Sequence, residues 1–265
     1  MPTKPKKALL MGLNYTGTKS ALNGCENDVK NIKEFLLKHD YKEENIRIMT
    51  EDCKGEDIPT KDGILKAIDI LLKDCDKDSE FFVHYSGHGS FMNDYSRDEE
   101  DGKDECICPL DYEKSGFITD DQLRKCLIER LNGAKLICLF DCCHSATILD
   151  LRYNYVVDLS SDEDSSYTVV TNKRSPKVNS DVLLISGCVD ASYSADAYIG
   201  SKKEYRGALT HCFLETFRIL EENKKESTYK QVFKGISLLM KNSKFTQVTQ
   251  LSTGDIVDLK KLLII

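Results

Sequence analysis

Two short stretches carry side chains suited to nucleophilic chemistry. Phe81-Phe82-Val83-His84-Tyr85-Ser86-Gly87-His88-Gly89 is an apolar run that breaks into a turn with two glycines, so His88 falls just past the end of a predicted strand. Leu136-Ile137-Cys138-Leu139-Phe140-Asp141-Cys142-Cys143-His144-Ser145 repeats the pattern and leaves Cys143 in the corresponding place. Adjacent parallel strands bring two such tips within side-chain reach. A thiol needs the imidazole because the thiolate is the attacking species, and an unassisted cysteine, with a pKa of about 8.5, is mostly protonated at neutral pH. His88 would take that proton and later deliver it to a leaving amine. The N–H groups of Gly89 and Cys143 would hold the oxyanion, a contribution of about 3–4 kcal/mol per donor in acyl-transfer enzymes. Two residues suffice for this chemistry, and no third member is nominated. Zinc is a poorer reading of His84, His88, Cys142, Cys143 and His144, whose spacings lack the paired short gaps of a structural site. Vicinal cysteines are also not the Cys-x-x-Cys of a thioredoxin-type redox site.

The elements that must position these residues follow from apolar periodicity. Ala8–Leu13, Ile46–Met49, Phe81–Tyr85, Leu136–Phe140 and Val182–Ser186 read as buried strands, and Asp28–His39, Lys61–Cys75 and Asp120–Leu131 as amphipathic helices between them. Such alternation predicts an α/β fold with a central, mostly parallel sheet flanked by helices, functional residues gathering at the carboxyl ends of the strands. Two further helices, near Ala208–Asn223 and Tyr229–Lys241, and an edge strand around Val248–Leu251 complete it. The expected organisation is one domain over residues 1–265: a larger portion (1–157), an exposed linker loop (158–180) and a smaller portion (181–265). The linker reading rests on the Ser/Asp/Glu cluster at Ser160–Ser166 and on Lys173-Arg174-Ser175-Pro176-Lys177, which lack the apolar periodicity of a core element.

Composition narrows the partners. With 40% hydrophobic and 31% charged residues the chain is an ordinary folded protein. A net charge of −7 argues against nucleic acid, whose binders gather Lys and Arg on one face. The apolar run behind Lys4, Lys6 and Lys7 is too short for a signal-peptide core or a membrane span. The expectation is a cytoplasmic protein with no membrane contact, in which the 11 cysteines are reduced and most are small core residues.

His84-Tyr85-Ser86-Gly87-His88-Gly89 and Asp141-Cys142-Cys143-His144-Ser145 closely resemble the two signature motifs of metacaspases, and the likeness covers nearly the whole chain. It extends to Gly24-Cys25-Glu26-Asn27-Asp28, Asp104-Glu105-Cys106-Ile107-Cys108-Pro109-Leu110-Asp111, Ser186-Gly187-Cys188 with Ser194-Ala195-Asp196, and Gln247-Val248-Thr249-Gln250-Leu251-Ser252. The 55-residue separation, 143 − 88, matches the order of about 50 residues for a caspase-type His and Cys. The resemblance is to a type I-like catalytic core without a long prodomain. It implies a caspase-like α/β/α sandwich and a cysteine endopeptidase in which Cys143, the second of the pair, is the nucleophile. Ala146 stands where the family motif usually has Gly.

Charge bears on specificity. Asp141 lies two residues before Cys143, so strand alternation puts both on one side, and Asp28 follows the first strand at a helix start, where the helix dipole alone would favour an acid. The resemblance implies that both line a pocket with Cys25 and Ser86, accepting Arg or Lys before the scissile bond and rejecting Asp. The acidic run Asp98–Glu105 does not fit an EF-hand: aligning Gly102 to the loop glycine puts Arg97 at the first ligand position and Cys108 at the last. By resemblance to calcium-dependent metacaspases, Asp104, Asp120, Asp121 and Asp150 would bind an activating Ca²⁺, with no organic cofactor. Ordered by calcium, the enzyme would also meet Lys173 and Arg174 in its own linker as candidate self-cleavage sites. Protein or peptide substrates and a monomeric state complete the expectation. The rival reading is a non-proteolytic scaffold or aggregate-binding protein that keeps the fold.

Overall fold

Residues Ala8 and Leu10 of the first strand point into one apolar cluster and Leu9 and Met11 into another, so the sheet is buried on both faces. In this computed structural model, residues 6–93, 103–143, 147–159, 167–188, 196–199, 204–245 and 247–265 are described. Strand β1 (Lys7–Gly12) leads into α1 (Cys25–Leu37), β2 (Ile46–Thr50) into α2 (Lys61–Leu71), and β3 (Glu80–Ser86) into a small antiparallel sheet of β4 (Gly89–Asn93), β5 (Lys103–Ile107) and β6 (Ile118–Thr119), with the short α3 (Tyr112–Ser115) before β6. Helix α4 (Asp120–Leu123) runs on into a π-helical turn, Arg124–Ile128. Then come β7 (Lys135–Asp141), β8 (Tyr153–Val157), β9 (Tyr167–Thr171), β10 (Asp181–Cys188), the β11 (Asp196–Ile199) and β12 (Glu204–Gly207) ribbon, α5 (Ala208–Glu222), α6 (Tyr229–Asn242) and β13 (Val248–Thr253).

The main sheet has the order β2-β1-β3-β7-β10-β13-β8-β9. From β2 to β10 neighbouring strands pair in parallel, and β13, β8 and β9 extend the sheet in antiparallel fashion. Helices α1, α5 and α6 cover one face, and α2 and α4 with its π-helical turn the other. This is the expected α/β/α sandwich. Each large apolar side chain buried in its two cores contributes about 1.5–3 kcal/mol. Two helices open on capping boxes that are visible in the sequence, Thr119/Gln122 for α4 and Thr228/Gln231 for α6.

Two expectations need correction. Val248–Thr253 is not an edge strand: β13 lies between β10 and β8, because Leu251 pairs with Tyr155. The linker 158–180 is not wholly a loop either, since Tyr167–Thr171 forms the true edge strand, paired with β8 through Tyr155↔Val169. An edge strand with solvent along most of its side chains carries no apolar periodicity, and that is why its composition reads as loop. The helix expected over Asp120–Leu131 divides into α4 and the π-helical turn.

Candidate active site

Three strand ends lie side by side. Gly12 pairs with Ser86, and Ser86 with Asp141, at the carboxyl ends of β1, β3 and β7. His88 and Cys143 each follow a paired residue by two positions (88 − 86 and 143 − 141), so the two predicted tips leave the sheet together. How closely they approach is measured at Gly89. A Cβ added there would lie 1.9 Å from the Cys143 carbonyl oxygen and 3.3 Å from the Cys142 sulfur. Only glycine lets the His88–Gly89 turn lie against the Cys143 backbone. Of the vicinal pair, Cys142 belongs to the core cluster on the α2 side and Cys143 does not, as alternation past the strand end requires.

His88 is held at both its ring and its backbone. Its Nε2 is 2.7 Å from the Ser20 carbonyl oxygen. A carbonyl only accepts, so this nitrogen carries hydrogen and the neutral ring keeps Nδ1 as its bare, basic nitrogen. The ring rests on that of Tyr15, centroids 4.8 Å apart. The Tyr15 hydroxyl accepts from the His88 N–H at 3.1 Å and donates to the Cys108 carbonyl at 2.6 Å, and the Tyr85 hydroxyl donates to the His88 carbonyl at 2.7 Å. Burial pushes both phenols well above their usual pKa, so each remains a neutral donor. Sequence reasoning nominated neither Ser20 nor Tyr15. Ser20 acts through a main-chain carbonyl and leaves no side-chain signal. Tyr15 adopts φ +52°, a conformation that nothing in its residue type announces.

Asp28 and Asp141 are both buried and they converge. Each has a carboxylate oxygen within 3 Å of the place a Gly207 Cβ would occupy, 2.7 Å for Asp28 and 2.2 Å for Asp141. Asp28 accepts from the Ser86 hydroxyl at 2.7 Å and from the Gly207 N–H at 2.9 and 3.0 Å, while Asp141 accepts from the Thr210 N–H at 2.7 Å. Gly207 is the N-cap of α5, so the two acids meet the N-terminus of that helix as well as each other. The dipole considered for Asp28 was that of its own helix, and the structure adds that of α5. Cys25, the fourth residue expected there, is buried at the first position of α1, and its N–H donates to Asn14 Oδ1 at 3.0 Å. The close packing of α1 on the sheet depends on Gly12, where a Cβ would meet the Cys25 carbonyl at 2.5 Å.

Carboxylate oxygens of Asp120, Asp121 and Asp150 lie within 4.8 Å of one another. Asp104, the fourth expected member, is not in this group, although its charge, with that of Glu105, acts on Asp120. Burial pushes the Asp120 carboxyl up to about 8, against hydrogen bonds from the N–H groups of Asp121 and Glu105 that favour the charged form. Converging hard oxygens of which one resists ionisation suit a divalent cation such as Ca²⁺, and the three residues fit that group. Asp150 has φ +48°, and Arg124 donates to its carbonyl at 2.7 Å and to that of Leu149 at 3.3 Å. Lys173 and Arg174 are exposed, but the chain around them is anchored: Ser175 is buried, and Asn172 Oδ1 accepts from the N–H groups of Arg174 and Ser175.

Among the cysteines whose side chains are described, none is joined to another by a disulfide. No helix among the described residues is long and apolar enough to cross a membrane. His144, Ser145, Ala146, most of the acidic run Asp98–Glu105, Ser194-Ala195 and the cluster Ser160–Ser166 lie outside the described residues.

A sandwich of this topology with a cysteine and a histidine at neighbouring strand ends defines a caspase-like cysteine peptidase domain. The profile of the metacaspase, peptidase C14 domain matches residues 6–152. Metacaspase-1B of Aspergillus terreus is 34% identical over 307 aligned residues, which cover 99% of this chain and 78% of that protein. Metacaspase-1 of Mycosarcoma maydis is 31% identical, over 98% of this chain and 73% of its own length. A crystal structure of a Geobacter sulfurreducens protein, 24% identical, superposes with a TM-score of 0.66 over 98% of both chains and shares the fold. The chain belongs to the metacaspase family of cysteine-type endopeptidases.

Proposed function

We propose that this metacaspase cleaves peptide bonds after Arg or Lys, with Cys143 as nucleophile and His88 as its proton acceptor and donor, and that Ca²⁺ activates it. The observation that carries the reading is the paired emergence of His88 and Cys143 from β3 and β7, with Gly89 against the Cys143 backbone. With Nε2–H engaged by the Ser20 carbonyl, Nδ1 of His88 takes the thiol proton and the thiolate attacks the scissile carbonyl. The N–H groups of Gly89 and Cys143 are the proposed oxyanion donors. His88 returns its proton to the leaving amine, an acyl-enzyme forms on sulfur, and the same nitrogen then activates the water that releases the acid.

Two buried carboxylates at one place support a basic side chain before the scissile bond. The Ser86 hydroxyl and the Gly207 and Thr210 N–H groups fix their orientation before substrate arrives, so little reorganisation is needed when a guanidinium or ammonium binds. An Asp side chain in the same place would face like charge. The proposed Ca²⁺ would be held by Asp120, Asp121 and Asp150 and would neutralise carboxylates on the segment that leaves the Cys143 strand, Asp150 lying seven residues beyond the nucleophile. The test is hydrolysis of an Arg fluorogenic peptide by the wild type, Cys143→Ala and Cys142→Ala, each with millimolar Ca²⁺ and with chelator. Wild type and Cys142→Ala should be active with Ca²⁺ only, and Cys143→Ala inactive throughout. Equal loss in the two cysteine variants, or full activity in chelator, would reject the nucleophile or the calcium requirement respectively.

A further inference from the structure

The three clustered aspartates give a cation its charge but few oxygens, since Ca²⁺ takes about six to eight. A cavity of about 190 Å³ opens beside them, bounded by Asp121 and Asp150 on one side and by Asn172, Arg174, Ser175 and Pro176 of the linker on the other. Ser175 is 5% exposed, and its buried Oγ has no hydrogen-bond partner, an arrangement that costs stability unless a guest supplies one. The two walls are already tied together, because Arg124 donates from Nη1 to the carbonyls of Leu149 and Asp150 and from Nη2 to that of Pro176 at 3.3 Å. Its guanidinium is occupied by three carbonyls and lies buried, while Arg174 sits at the exposed rim.

We propose that Ser175 Oγ is a ligand of the cation held by Asp120, Asp121 and Asp150, so that cation binding clamps the linker segment Asn172–Pro176 onto the site. The proposal rests on the calcium reading above and adds to it a neutral oxygen from the linker, across the cavity. A hydroxyl is a hard ligand that adds no charge to a site where three carboxylates already converge. The clamp has a consequence for attack by an external protease. Cleavage after Lys173 or Arg174 needs extended, accessible backbone, and a cation that holds Ser175 withholds it. An added protease is therefore slowed there when Ca²⁺ is bound.

The full-length Cys143→Ala protein, which cannot cut itself, separates the possibilities. Ca²⁺ affinity is measured by calorimetry in this background, alone and with Ser175→Ala, Ser175→Thr or Asp121→Asn, beside melting midpoints and the rate of trypsin cleavage after Lys173 and Arg174. Ser175→Ala should bind Ca²⁺ about tenfold more weakly, Ser175→Thr nearly as well as the parent, and Ca²⁺ should slow trypsin several-fold in the parent but not in Ser175→Ala. Without Ca²⁺, Ser175→Ala should melt at or above the parent, because it removes an unpartnered buried hydroxyl, and with Ca²⁺ it should gain less. Unchanged affinity in Ser175→Ala, with binding lost in Asp121→Asn, would overturn the Ser175 ligand and leave the calcium site standing. No Ca²⁺ binding by the parent would remove both.

Discussion

Adding one methyl group at Gly89 tests the proposed active site without touching a reacting atom. The new Cβ would sit 1.9 Å from the Cys143 carbonyl oxygen and 3.0 Å from its carbonyl carbon. A carbon and an oxygen settle at about 3.3–3.6 Å, so Gly89→Ala must separate the His88 turn from Cys143 by more than an ångström. Displacement of a reacting pair by about 1 Å costs on the order of 100-fold in rate, equivalent to about 2.7 kcal/mol. The same overpacking should lower stability by about 1–3 kcal/mol, which leaves a folded protein in which to measure the defect. The assay is kcat/KM on an Arg peptide with saturating Ca²⁺, with thermal melting alongside. A folded Gly89→Ala enzyme within threefold of wild type would refute the reasoning, for it would mean that the approach of turn and nucleophile has no bearing on catalysis.

His84, wholly buried with Nδ1 donating to the Leu139 carbonyl, is pushed down to about 4 by burial. A depressed folded pKa means that its contribution is complete above the unfolded value of about 6.5 and is lost as pH falls towards 4, about 3 kcal/mol in all. His84→Gln should remove that part of the acid sensitivity, and urea midpoints at pH 7 and 4.5 that fall equally in both proteins would contradict it. Asp28→Asn and Asp141→Asn should each lower kcat/KM for Arg peptides by at least 30-fold, the measured cost of unpairing a buried charge being about 2–5 kcal/mol, without opening the enzyme to Asp peptides. An unchanged preference in both variants would place the basic side chain elsewhere. Tyr15→Phe, which deletes the acceptor of the His88 N–H, should lower kcat by about tenfold with KM little changed, and a loss confined to KM would assign the tyrosine to substrate binding.

What the sequence made legible was what local pattern controls. The apolar runs ending in Gly87–Gly89 and in Cys142–Cys143 placed both chemical residues at strand ends, and the five parallel strands followed from short apolar runs between amphipathic segments. What it concealed depends on contacts distant in the chain. The Ser20 carbonyl reaches His88 across 68 residues, and the Gly207 N–H reaches Asp28 across 179. The antiparallel extension was hidden for another reason. β8 and β9 bury little, and the β-branched run Tyr167–Thr171 sits beside the acidic cluster whose composition dominated the reading. Asp104 was placed with the other three aspartates by resemblance alone, and the close group consists of Asp120, Asp121 and Asp150.

The acid pair is built from both portions of the chain. Asp28 comes from α1, Ser86 from β3 and Asp141 from β7, all before the linker, yet the N–H groups that orient the acids belong to Gly207 and Thr210, after it. The same two portions share the centre of the sheet. β10 pairs with β7 from Asp181↔Lys135 to Ser186↔Phe140, and β13 returns between β10 and β8. None of these bonds passes through residues 172–176. A cut in that segment therefore removes a covalent tether while leaving the sheet and the acid pocket joined by hydrogen bonds and two apolar cores. The expected result of such a cut is a nicked protein whose fragments co-purify and still bind an Arg peptide, separable only by denaturant. Fragments that parted under native conditions would mean that the β7–β10 pairing does not hold the sheet together unaided.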